Sequence, residues 1–159
     1  MANANSTAIF ETDTLEIIAF RLHDQEFCVK TTTIREIRGW APSTPIPHAP
    51  ADVIGVMNLR GSVIPIIDLA YKLGMTSTVA NERSAIVVAE VHNMVIGMLV
   101  DRVSDILTIA SNQVQPVPEV TASFDRAYCE GIIATENGMI CFLNLAKMFK
   151  EGEAEELAA

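Results

Sequence analysis

Cysteine is scarce in this chain. Its three residues (Cys28, Cys129, Cys141) are an odd number with no CxxC spacing, so neither a disulfide framework nor a zinc ribbon is indicated. Positive charge is also short: 11 Lys and Arg stand against 20 Asp and Glu, for a net −9. That balance argues against a nucleic-acid or anionic-membrane surface protein. Four of the acids (Glu151, Glu153, Glu155, Glu156) fall in the last nine residues, so the body is less acidic than the total implies. The three histidines, at 23, 48 and 92, lack metal-ligand spacing. No dinucleotide-binding or P-loop glycine pattern exists, so no cofactor is expected. No apolar run approaches 18 residues, which excludes a spanning helix. Residues 1–14 lack the basic and apolar regions of a signal peptide. A soluble domain of a reducing cytosol is the expected class.

What is present is globular. The chain has 159 residues, 50% hydrophobic and 19% charged, which matches one domain of ordinary size with a self-sufficient core. Residues 1–14 read as a loose arm, 15–150 as the domain and 151–159 as an acidic, solvated tail. The body consists of short Ile- and Val-rich runs separated by turn residues, which is a strand pattern. Four hairpins are expected: 15–22 with 27–29, 53–59 with 62–67, 85–91 with 94–100, and 130–135 with 139–143. The last turns at Asn137-Gly138, a pair suited to a type I′ turn. Short helices are expected after the N-cap residues Asp68 and Asn144. Thr33-Ile-Arg-Glu36 fits a capping box, with Gly39 as its stop. Pro42, Pro45, Pro47 and Pro50 make 41–50 an extended, rigid connection, and 111–128 plays the same part later.

The hairpins carry an internal duplication. A shift of 69 places 17–37 on 86–106, and a shift of 76 places 55–73 on 131–149. Ile34 then meets Val103, Glu36-Ile37 meets Asp105-Ile106, Ile64 meets Ile140, and Asp68 meets Asn144. Two similar small barrels about a pseudo-twofold axis are implied. The halves differ at one hairpin tip, where Asn58-Leu-Arg60-Gly61 becomes Ala134-Thr-Glu136-Asn137. Only the first half needs an arginine there, which points to a site.

No catalytic constellation emerges. Cys28 lies near His23 in the chain, but it sits in an apolar strand while His23 marks a turn, and free cysteine is among the most buried residue types. An enzyme is not expected; binding is. Arg60, beside Gly61 at a tip, offers a forked donor set to a carboxylate or carbonyl, or is an ordinary solvated turn residue. Trp40 reads either as an anchor for a partner or as core filler.

Glu36-Ile-Arg-Gly-Trp40, Gly55-Val-Met-Asn-Leu-Arg-Gly61, Pro65-Ile-Ile-Asp-Leu69 and Gly97-Met-Leu-Val-Asp-Arg-Val-Ser-Asp-Ile106 together resemble the CheW family of bacterial chemotaxis coupling proteins. The resemblance runs from about Leu15 to Lys150. It implies a mostly β fold, two five-stranded SH3-like barrels with short helices. It also implies a cytoplasmic, non-catalytic adaptor that joins the tips of methyl-accepting chemotaxis receptors to the regulatory domain of the histidine kinase CheA, in arrays at the inner membrane. An adaptor of another chemosensory-type pathway, such as pilus motility or a second array, is the alternative. By motif, the resemblance places the receptor on Ile34, Glu36, Gly55, Asn58, Arg60, Val103 and Ile106, in a groove between the barrels. The kinase falls near Trp40 and Ile46.

Overall fold

The computed structural model describes residues 13–118, 128–136 and 138–149. The expected acidic tail, most of the expected arm and Asn137 lie outside them. Eleven strands and two short helices follow in order: β1 (Thr14–Leu22), β2 (Gln25–Lys30), β3 (Ile34–Gly39), β4 (Val53–Leu59), β5 (Ser62–Asp68), α1 (Leu69–Lys72), β6 (Ala85–Val91), β7 (Met94–Val100), β8 (Arg102–Ala110), β9 (Val114–Gln115), β10 (Cys129–Thr135), β11 (Gly138–Leu143) and α2 (Leu145–Met148). Single 3-10 turns at Thr31–Thr33 and Ser111–Gln113 lead into β3 and β9.

Each of the four expected hairpins forms, but Gly138, expected in the last turn, opens β11 and pairs with Thr135 in the ladder. β1 pairs with β2, β4 with β5, β6 with β7 and β10 with β11, all antiparallel. In the β4–β5 and β6–β7 turns both residues take the left-handed conformation that matches strand twist. Arg60 and Gly61 have φ of 52° and 90°, and His92 and Asn93 have 52° and 65°. Asp68 and Asn144 cap α1 and α2 through their side chains, accepting from the backbone N–H of Tyr71 and Lys147.

The hairpins assemble into two sheets, ordered β8-β1-β2-β11-β10-β9 and β3-β6-β7-β5-β4. The duplication is visible in the element bounds. Adding 76 to β4 and α1 gives the bounds of β10 and α2. The halves are interleaved, because hairpin β1–β2 pairs with β8 and β11 of the second half, and hairpin β6–β7 pairs with β3 and β5 of the first. Exchanging the halves turns one strand order into the other, as a pseudo-twofold requires. Each sheet fits an SH3-like subdomain, and the second half adds only the two-residue edge strand β9.

The expected capping box at Thr33–Glu36 does not form a helix. Residues 34–39 are the edge strand β3, paired to β6 from Ile34↔Ala89 to Gly39↔Ala85 with a bulge between Ile34 and Glu36. The Thr33 hydroxyl donates back to the Lys30 carbonyl, so no cap is offered. Ile34 and Ile37 suit a strand, and pairing along β6 outweighs a local cap signal.

Strand alternation divides the core in three. Ile18, Phe20 and Leu22 of β1 and Val87, Ala89 and Val91 of β6 point into one cluster shared by both sheets. Their neighbours point the other way. Ile17 and Ala19 pack with Cys28, Ile133 and Ile140, and Ile86 and Val88 with Leu59, Ile64 and Leu99. Strands buried on both faces read as continuous apolar runs, which is why β1 and β6 lack polar alternation.

Candidate functional site

The tip of hairpin β4–β5 is built to hold an arginine outward. The Asn58 side-chain oxygen accepts from the Gly61 N–H at 2.8 Å, an Asx-type brace across the turn. Gly61 takes its φ of 90° without steric cost. The Arg60 side chain is 76% exposed. It donates from Nη1 to Glu36 Oε1 at 2.8 Å and from Nη2 to Glu36 Oε2 at 3.3 Å. This fork-to-fork geometry orients both groups. Glu36 stands on β3 and Arg60 at the end of β4, the two outer edges of one sheet. The pair therefore closes that sheet on itself.

Among the described residues this arrangement occurs once. In the second half the equivalent positions hold Asp105 and Glu136, two acids that cannot pair. The Asp105 carboxylate instead accepts from the Ile106 N–H at 2.8 Å. The charge difference between the halves is the signal that singles out the tip in sequence. That Arg60 meets Glu36 was not legible, because Glu36 fitted a cap and stands 24 residues away.

The other candidate residues divide. Ile34 and Val103, equivalent under the duplication, are half-buried against the shared core from β3 and β8. Ile106 is 54% exposed on β8, and its counterpart Ile37 is also exposed. Gly55 is buried rather than open: a Cβ there would lie 2.4 Å from the Thr44 carbonyl oxygen. It admits the Pro-rich connector, whose Thr44 exchanges backbone hydrogen bonds with Val56 at 2.8 and 2.9 Å. Trp40 is 42% exposed just beyond β3, which excludes its reading as core filler. Ile46 is half-buried in the connector.

Cys28 and His23 are not brought together as a reactive pair. Cys28 is fully buried, and burial pushes its thiol up to about 12. The His23 ring nitrogen Nε2 lies 2.7 Å from the Thr76 carbonyl, and His92 Nε2 lies 2.8 Å from that of Ala146. The two histidines thus tie equivalent hairpin turns to the chain around α1 and α2. No group of three or more His, Cys, Asp or Glu among the described residues could hold a metal ion. Among them, no helix is long and apolar enough to cross a membrane.

The comparisons with known proteins bear on the family and the fold. The family model described as CheW-like domain matches residues 16–153. The chain is 50% identical over 140 residues to the chemotaxis protein CheW of Rhizobium meliloti, covering 88% of this chain and 90% of that one. It is 32% identical to the chemotaxis protein CheW of Klebsiella aerogenes, with coverage of 90% and 86%. Among solved structures, the scaffolding protein TtCheW from Thermoanaerobacter tengcongensis superimposes with a TM-score of 0.79 at 30% identity, covering 87% of this chain and 90% of that chain. With 138 of its residues matched by one family model and half of its aligned residues identical to a relative of nearly equal length, the chain belongs to the CheW-like family.

Proposed function

We propose that this protein is a non-catalytic scaffold of a chemotaxis pathway, coupling chemoreceptor tips to the histidine kinase CheA. The observation that carries the reading is the single outward-held Arg60–Glu36 pair, present in one half of a duplicated fold and replaced by two acids in the other. A structural closure needed by both halves would occur twice.

The receptor tip, a helical hairpin, lies along the edges β3 and β8 between the two subdomains. Ile34, Val103 and Ile106 supply apolar contact, while Arg60 and Glu36 fix register by charge, as in helix-in-groove recognition. Asn58 holds the turn, and Gly55 acts through the connector that it admits. Trp40 and Ile46 face the regulatory domain of CheA. A scaffold with two such faces raises the effective concentration of receptor and kinase in arrays at the inner membrane.

Reconstitution tests this. Receptor-containing membranes and CheA are mixed with no scaffold, with this protein or with its Arg60→Ala form, and kinase autophosphorylation is followed. Strong stimulation by the wild type and little by the variant is expected. No stimulation by a well-folded wild type would overturn the coupling role with these partners.

A further inference from the structure

A dithiol stands apart from the Arg60 tip. Cys129 opens β10, Cys141 lies within β11, and the bulge between Cys129 and Gly131 turns the first thiol toward the second. Their sulfurs are 2.7 Å apart, and the Cys129 Sγ also lies 3.1 Å from the Gly131 carbonyl. Cys141 is half-buried and lines a surface cleft of about 410 Å³ with Glu26, Ile132, Thr135 and Met139. A small oxidant therefore reaches Cys141 from the cleft, and the buried Cys129 sulfur lies directly behind it.

We propose that Cys129 and Cys141 form a peroxide-reactive dithiol that closes to a reversible disulfide within the β10–β11 hairpin. The thiolate sulfur attacks one oxygen of a hydroperoxide; the S–O bond forms, the O–O bond breaks, and the leaving oxygen departs as water or alcohol after taking up a proton. The partner sulfur then attacks the sulfenic sulfur. The S–S bond forms, the S–O bond breaks, and water leaves. Two thiols are oxidised by two electrons and the peroxide is reduced by the same two, so no other reactant is needed.

The electrostatics assign the roles. The hydrogen bond from Cys141 lowers the Cys129 thiol to about 7, so Cys129 carries the thiolate, and Cys141 is held above its ordinary value as the proton donor. Thiolate character is what makes a cysteine reactive. Cys28, pairing on β2 opposite Phe142 of β11, is buried and held neutral, so it stays out of the reaction.

The test uses the whole protein and hydrogen peroxide. Tryptic cleavage after Arg126 and Lys147 leaves both Cys129 and Cys141 on one peptide, 127–147, and Cys28 on another, 22–30. After peroxide, peptide 127–147 should be lighter by two hydrogen atoms, recover on reduction, and leave Cys28 free to alkylate. In Cys141→Ser the same peptide should instead carry a sulfenic acid at Cys129, trapped by a cyclic dione. Three alkylatable thiols after peroxide, a cross-link through Cys28, or a bond between two chains would overturn the proposal. Should Cys141→Ser fail to fold, the wild-type peptide map decides by itself.

Discussion

Glu36 and Arg60 occupy opposite outer edges of one five-stranded sheet and meet in a two-point contact, 2.8 Å at Oε1 and 3.3 Å at Oε2. A contact so exposed on the arginine side stabilises little, because water screens it and both side chains give up freedom. Its value lies in presenting a fixed charge pattern. We expect Arg60→Ala to change unfolding free energy by less than about 1 kcal/mol while weakening receptor coupling by about 1–3 kcal/mol. The swap Glu36→Arg with Arg60→Glu should restore the stability of either single change but not the coupling. Denaturant unfolding and the kinase assay read these separately. A large stability loss with normal coupling would make the pair structural only.

The connector gives a second prediction. Gly55 and Gly131 are equivalent, and each faces the backbone of a preceding segment: an added Cβ would stand 2.4 Å from the Thr44 oxygen or 2.6 Å from the Gln115 oxygen. Backbone cannot turn aside as a side chain does. Gly55→Ala and Gly131→Ala should each destabilise by about 1–3 kcal/mol. Gly39→Ala meets nothing within 4 Å and should be near neutral. Thermal melts of the three variants check the ordering, and a neutral Gly55→Ala would remove the steric account.

The duplication gives a third. Ile64 and Ile140 are equivalent, 3% and 4% exposed, and each lies in the core cluster of its own sheet. Truncation leaves a cavity as well as losing burial, so Ile64→Ala and Ile140→Ala should each cost about 2–5 kcal/mol. Closely similar costs are expected from equilibrium unfolding. One neutral and one severe variant would mean that the two halves are packed on different principles.

These three sites differ in how far the sequence announced them. The hairpins were legible because each is local: apolar runs flank turn residues such as Arg60-Gly61 and His92-Asn93, and close neighbours pair. Asp68 and Asn144 were legible as caps for the same reason. Strand β3 was not. Thr33 and Glu36 stand at capping-box spacing, and only pairing with β6, some 50 residues on, turns the segment into an edge strand. The two residues of β9 carry no local pattern. The exchange of hairpins between halves was hidden as well, since a strand's alternation records which faces are buried and not which strand lies beside it. The arginine tip was visible through the repeat, as a charge present in one copy and reversed in the other. Its partner became visible only in three dimensions.

Cys28 gives the last prediction. Its thiol is buried at the parallel pairing of β2 with β11, and burial raises it from 9.0 to about 12, with smaller contributions from Cys129 and Glu26. In the unfolded chain the same thiol ionises near 9. Between those values the folded state binds the proton more tightly than the unfolded state does. The stabilising contribution is therefore complete below pH 9 and is lost as pH rises toward about 12, with a limiting slope of about 1.4 kcal/mol per pH unit for one proton. Other groups of the chain also ionise at high pH, so the informative quantity is a difference. Denaturant unfolding of wild type and Cys28→Ala should give a stability gap that is constant from pH 7 to 8.5 and narrows above pH 9, because the wild type falls more steeply. A gap that stays constant to pH 10.5 would mean that Cys28 ionises in the folded protein, and that the interior of this sheet is wetter than its packing indicates.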